Sequence, residues 1–293
     1  LSMEFEIILI IIGMLIALIF LYRSTAGIQR SSNSNVDTET SFNRGRVLNS
    51  ALVEAKGKSL TNEQIEILQD EIGLFSWIPN DLLDPWQERI ITFLDYFIIR
   101  PMSPGLPAER IELIVAAEAS LLIVQRPMAD YRHLSRINIW ADKIDGHEEA
   151  RGTATRNEIN LSWHYLKQHV GKGRDGHNLT LHEFAHLIDF ADDGVAQSIP
   201  VSSHSENFKE WQELVNEEHK KLMKAYEGGK NYSIRAYGGY ETIKGDKPEL
   251  FSCGTSAFFE RGSRLKRECP KVYQAMKEFY GIDPANWRKA KAK

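Results

Sequence analysis

Residues 178–193 read NLTLHEFAHLIDFADD, and this stretch carries the residue types and spacing that could do chemistry. His182 and His186 are four positions apart, so on a helix their imidazoles lie one above the other on the same face. Glu183 lies beside them, where it can act on a water molecule rather than bind the ion itself. The HExxH pattern therefore predicts a zinc site of the hydrolytic type.

The alternative to a metal site is an ordinary helix on which the two histidines only form hydrogen bonds. The apolar residues of the segment argue against this alternative. They predict a buried helix and are Leu179, Leu181, Phe184, Leu187 and Ile188. Unpaired imidazoles beside such a face would cost free energy, and a bound metal would remove that cost. We therefore interpret the segment as a metal site.

A third ligand must come from outside the helix. A catalytic zinc usually takes three protein ligands and leaves one position for water. No HxxGxxH continuation follows His186, so a third histidine of that type is absent. The best choice is Glu249, the acid at the start of the apolar segment PELFSCGTSAFFERG. The alternative is a solvated glutamate in the first turn of a helix, favoured by the helix dipole.

The rest of the chain predicts an α+β fold that is mainly helical, with a small β-sheet just before the HEFAH segment. Residues 137–140 and 158–163 are β-favouring and predict two strands. Pro85, Pro107 and Pro270 each predict a helix start, and residues 109–124 are apolar nearly all round, as in a core helix. A long amphipathic helix is expected over residues 205–226 and another helix from about Pro248.

Residues 7–22 (IILIIIGMLIALIFLY) carry no charge and predict a transmembrane helix over residues 5–23. At ~1.5 Å rise per residue the run spans roughly 24 Å, so flanking residues must complete a ~30 Å hydrocarbon core. A cleavable signal peptide is the alternative, but Glu4 and Glu6 stand where a basic region is needed. The basic residues that follow predict a single-pass cell-membrane protein whose remaining chain is cytoplasmic.

Composition indicates what kind of protein the chain after residue 23 forms. Residues 24–42 are polar and predict a flexible linker, which leaves residues 43–293 for the catalytic domain. A net charge of −4 gives no support for nucleic-acid binding. Cys253 and Cys269 are too few for a disulfide framework and are expected to be reduced thiols.

Four segments in order, NLTLHEFAHLIDFADDG, SIPVS, AYGG and PELFSCGTSAFFE, resemble the Mlc titration factor A (MtfA) family of zinc-dependent peptidases. The likeness covers roughly residues 60–287 and includes the EINLSW strand. It implies a zincin-like domain, similar to the catalytic domain of anthrax lethal factor and of the gluzincin type. It also implies one Zn²⁺ per chain on His182, His186 and Glu249, with Glu183 as general base and a peptide or protein as substrate.

The resemblance further implies a tyrosine that stabilises the tetrahedral intermediate. The AYGG context favours Tyr237, while Tyr240 lies closer in sequence to Glu249, because the insertion YETIKGDK lengthens the gap. The family often carries an acid where this chain has Ser256. Some members have a further histidine near the metal; His147 is the nearest candidate, and its spacing matches poorly.

These features predict a membrane-anchored zinc metallopeptidase. The alternative from another class is a regulatory binding protein that sequesters a cytosolic partner, such as a transcriptional repressor, with little or no peptidase activity. The resemblance implies this role for some family members. A structural zinc protein fits less well, because structural sites are usually closed by four Cys or His ligands.

Overall fold

The computed structural model describes residues 40, 42–191, 194–229, 232, 234 and 249–289. The helices are α1 (42–55), α2 (Asn62–Glu71), α3 (Asn80–Tyr96), α4 (Ala108–Leu122), α5 (Trp163–His169), α6 (Leu179–Asp189), α7 (Phe208–Glu227), α8 (Glu249–Glu268) and α9 (Pro270–Tyr280). The strands are β1 (Ile99–Pro101), β2 (Arg136–Trp140), β3 (Gly152–Ala154) and β4 (Glu158–Ser162). The prediction of a mainly helical α+β fold with a small sheet is confirmed.

The four strands form one sheet in the order β1-β2-β4-β3. Strands β1, β2 and β4 run parallel, and β3 pairs antiparallel with β4, with Ala154 opposite Ile159. The two predicted strands correspond to β2 and β4. The strands that were not predicted, β1 and β3, are three residues long, too short for a periodic pattern to show.

Helix α6 lies at the centre of the fold, and all eleven of its residues are buried. It packs against α4, α8 and the strands β3 and β4, so apolar neighbours surround it. Asn178 caps its N-terminus, because the Asn178 side chain accepts a hydrogen bond from the Leu181 backbone at 2.9 Å. The segment predicted to be a buried helix is therefore buried on every side.

Two helix predictions have different outcomes. The core position of α4 is confirmed, since eleven of its residues are buried and the Trp86 indole donates to Ala117 O at 2.7 Å. The predicted start at Pro85 is wrong: α3 begins at Asn80, after Pro79, and Pro85 lies inside it. One lost backbone hydrogen bond at Pro85 is outweighed by the buried face of α3.

The remaining helix boundaries agree with the sequence to within a few residues. Helix α4 follows Pro107 directly, and Pro270 is the first residue of α9. Among the described residues no helix is both long and apolar enough to cross a bilayer. The predicted transmembrane helix over residues 5–23 lies outside the described residues.

Candidate metal centre

His182 and His186 project from the same face of α6 into the protein interior. Their rings lie with centroids 4.9 Å apart and planes at 83°. Their relative exposures are 4% and 9%, so both are buried. The helical spacing and the apolar surroundings together bring the two imidazoles to one place.

Glu249, the first residue of α8, lies between these two imidazoles. Its Oε2 is 3.2 Å from His182 Nε2, and its Oε1 is 3.5 Å from His186 Nε2. Its side chain is 18% exposed, which does not fit the solvated first-turn glutamate considered above. Burial opposes ionisation, but the two imidazoles outweigh it, and the pKa of Glu249 lies well below its ordinary value.

The donor atoms at this point fit a divalent metal. Glu249 Oε2 is buried and, among the described residues, makes no hydrogen bond of good geometry, although His182 is close. A buried carboxylate oxygen without such a bond is costly, and metal coordination is one way to satisfy it. Two imidazole nitrogens and a carboxylate are the ligands that catalytic zinc takes in several peptidases.

Glu183 is buried beside the histidines, with a relative exposure of 3%. Burial raises the pKa of its carboxyl group, and the negative charge of Glu249 adds to this, while His182 and His186 oppose it. A carboxylate with a raised pKa is a stronger base, which suits a group that accepts a proton.

Strand β3 packs directly on Glu183, a contact that the sequence did not reveal. A Cβ atom added at Gly152 would lie 2.8 Å from both Cγ and Cδ of Glu183, so any other residue at this position would displace the Glu183 side chain. A glycine in a short strand was the available signal, since such a glycine often marks a close approach.

A buried serine connects the end of α6 with the start of α8. The Ser198 backbone N–H donates to Asp189 Oδ2 at 2.7 Å, and the Phe251 N–H donates to Ser198 Oγ at 2.9 Å. Burial raises the pKa of Asp189 to about 7, although the carboxylate accepts hydrogen bonds from backbone N–H groups, which lower the pKa. Because Glu249 lies two residues before Phe251, these bonds fix its helix relative to the histidine helix.

A second polar cluster lies at the other end of α6. Asn178 donates from its side chain to Glu118 Oε1, and Glu260 Oε2 accepts from the backbone N–H of Gly176 at 2.5 Å and of His177 at 3.1 Å. Burial raises the pKa of Glu118 to about 7. Burial, with the charges of Asp175 and Glu118, raises the pKa of Glu260 to about 8.

The other residues singled out from the sequence have separate outcomes. Tyr237 and Tyr240 lie outside the described residues. His147 is exposed and pairs with Ile144 in a short β-bridge. Ser256 is buried, and its hydroxyl donates to the backbone oxygens of Asn178 and Ser252, each at 3.4 Å. Ser256 therefore helps dock α8 on α6.

One residue of the centre was missed altogether. The ligand atoms of His182, Glu249 and Cys253 all lie within 4.8 Å of one another, while His186 is outside this set of three. Cys253 is four positions after Glu249 and therefore lies on the same face of α8. That spacing was visible in the sequence.

A buried HExxH helix whose imidazoles meet a carboxylate from a second helix is an arrangement typical of metallopeptidases. The chain belongs to the glucose-regulated metallo-peptidase M90 family, because the sequence model of that family matches residues 49–281. A relative in Synechocystis sp. (strain ATCC 27184 / PCC 6803 / Kazusa), the uncharacterized protein slr2042, is 23% identical over 234 residues, 74% of this chain and 83% of the relative.

Proposed function

We propose that the chain is a membrane-anchored zinc peptidase with a zincin-like catalytic domain over residues 43–293. His182, His186 and Glu249 would hold one Zn²⁺, and Glu183 would act as the general base. The observation that carries the proposal is the position of the Glu249 carboxylate, 3.2 and 3.5 Å from the two Nε2 atoms. Membership of a metallopeptidase family favours an enzyme over a sequestering protein.

The reaction follows from the positions of these side chains. When bound, zinc supplies Lewis acidity, which polarises the scissile carbonyl and makes the attacking water more acidic. Glu183 accepts a proton from that water and then returns it to the leaving amine. Its raised pKa suits both steps. Tyr237 or Tyr240 would donate a hydrogen bond to the oxyanion, which contributes ~2–4 kcal/mol in comparable sites.

Strand β3 supports an extended peptide as the substrate. It is the last strand in the sheet order, so one of its edges faces no other strand among the described residues. The same strand touches Glu183 through Gly152. A peptide that pairs with this edge by main-chain hydrogen bonds would run past the general base.

The proposed anchor is the apolar segment over residues 5–23, with the catalytic domain in the cytoplasm. Its burial in lipid depends on apolar area rather than charge, so the full chain should stay in the membrane fraction through high-salt and carbonate washes. Deletion of residues 3–23 should release a catalytic domain that keeps its zinc. Recovery of the full chain in the soluble fraction would contradict the anchor.

The enzymatic proposal is tested with Glu183→Gln, which keeps the shape of the side chain and removes the base. Peptide turnover should fall by at least ~10²-fold, the usual scale for loss of a general base. Zinc content should stay at one per chain, measured by elemental analysis. Glu148→Gln is the matched control, because Glu148 is exposed and pairs only weakly with Lys143 at the surface. Full turnover by Glu183→Gln would show that the mechanism is wrong.

A further inference from the structure

Cys253 lies near two of the proposed metal ligands, His182 and Glu249. Its Sγ, a nitrogen of His182 and an oxygen of Glu249 all lie within 4.8 Å of one another. It is one helical turn after Glu249 on α8, so both side chains approach the histidines from the same helix face. Its relative exposure is 6%, and it forms no disulfide.

Coordination would draw the ligand atoms of His182, Glu249 and Cys253 closer than the 4.8 Å that bounds them, and would bring in His186, which lies outside this set. In a tetrahedral zinc site, bonds of ~2.0–2.1 Å to nitrogen and ~2.3 Å to sulfur place the ligand atoms roughly 3.3–3.7 Å apart. His182 and Glu249 already approach to 3.2 Å. The carboxylate oxygen of this pair is the buried atom that lacks a well-formed hydrogen bond. A soft thiolate beside imidazole nitrogens is a strong ligand for zinc.

We propose that Cys253 is a fourth protein ligand of the metal, bound as a thiolate together with His182, His186 and Glu249. This inference rests on the proposed function, because it concerns the same metal. The thiol proton is released to solvent as the metal–sulfur bond forms. A set of four protein ligands closes the position that the catalytic water needs. Cys253 therefore competes with water and keeps the resting enzyme less active.

Cys269 provides a matched control on the same chain. It is also buried and forms no disulfide, but it lies at the N-cap of α9, near Tyr232 and Glu218. It is not part of the set formed by His182, Glu249 and Cys253. Its replacement removes a buried thiol without touching the proposed coordination sphere.

The test uses the full chain loaded with Co²⁺, which replaces zinc and reports its ligands by absorption. The wild type should show a thiolate-to-cobalt charge-transfer band in the near ultraviolet. Cys253→Ala should lose this band and bind the metal at least ~10-fold more weakly in competition with a chelator. Cys269→Ala should keep both. With zinc bound, Cys253→Ala should turn over peptide faster than the wild type, since water then has an open position.

The outcomes separate this inference from the proposed function. If the cobalt spectrum of the wild type lacked the band, Cys253 would not be a ligand. This measurement uses only the wild-type protein, so it does not depend on whether a variant folds. If such a protein still cut peptide in a Glu183-dependent way, the proposed function would stand. A wild-type band with no turnover by any form would support the thiolate ligand and overturn the peptidase. Turnover of Cys253→Ala at or below the wild-type level would overturn the competition with water.

Discussion

Helix α6 packs against buried carboxyl groups in opposite electrostatic states: Glu249 beside its histidines, and Glu118 and Glu260 near its N-terminus. Near His182 and His186, the imidazoles hold the pKa of Glu249 well below its ordinary value, so this carboxylate stays ionised. At the other end, burial raises the pKa of Glu118 to about 7 and of Glu260 to about 8. Glu249 is partly exposed, whereas Glu118 and Glu260 are fully enclosed.

The difference follows from the partners rather than from burial alone. Glu249 has two groups that can carry positive charge within 3.5 Å. Glu118 and Glu260 accept hydrogen bonds from an amide side chain and backbone N–H groups, which offset only part of the desolvation penalty. We infer that one end of α6 is arranged to bind a cation and that the other helps hold the helix in place.

The largest effect is expected from His186→Ala, which removes one of the proposed metal ligands. Metal content should fall far below one per chain, and peptide turnover should drop to background. The thermal midpoint should also fall, because metal binding stabilises the folded state. His147→Ala is the control, since His147 is exposed. If His186→Ala still bound one metal ion per chain, His186 would not be a ligand, and the histidine end of α6 would not be the metal-binding end.

Gly152→Ala should separate the base from the metal ligands. The added methyl group cannot fit against Glu183 and must displace its carboxylate. A misplacement of about 1 Å can cost ~10²-fold in rate, so turnover should fall on that scale while metal content stays constant. Thr153→Ala, which changes the neighbouring strand residue on the opposite face, should have a much smaller effect. Equal turnover in the two variants would show that β3 does not position Glu183.

Glu260→Gln should change the pH dependence of stability. The folded-state pKa of about 8 lies above the ordinary value of 4.5, so the folded protein holds a proton that the unfolded chain releases between these values. The contribution of the Glu260 carboxyl group to the free energy of unfolding should therefore be fully present below pH 4.5 and be lost as the pH rises through about 8.

A neutral amide removes the contribution of Glu260 to the pH dependence and can still accept hydrogen bonds from the Gly176 and His177 N–H groups. The gain over wild type should be on the order of 2 kcal/mol at pH 8 and should vanish near pH 5, measured by urea unfolding. Metal content should not change. A destabilised Glu260→Gln with an unchanged pH slope would mean that this carboxyl group is ionised in the folded state.

Ser198→Ala should give the smallest effect. It removes the acceptor for the Phe251 N–H, and the residue keeps a positive φ of 62°. The free energy of unfolding should fall by ~1–2 kcal/mol, and metal affinity should weaken several-fold, because α8 then holds Glu249 less firmly. Ser202→Ala, at an exposed serine, is the control. Unchanged metal affinity with lowered stability would show that this bridge does not position Glu249.

The buried helix α6 was predictable because its signal is local. A spacing of four residues fixes the two imidazoles on one helix face, and the apolar residues around them required burial. Glu249 was found by its contrast with an apolar surrounding. The short strands β1 and β3 were not predicted, because three residues hold no periodicity and their pairing depends on distant segments.

The sequence by itself predicted the buried helix of the HExxH motif and the mainly helical fold, and it singled out Glu249 as the proposed third ligand. Only the tertiary structure decided that Gly152 touches Glu183, that Ser198 joins α6 to α8, and that Cys253 comes within 4.8 Å of His182 and Glu249. These contacts join elements that are far apart along the chain. Their geometry depends on how helices and strands pack, which local periodicity does not encode.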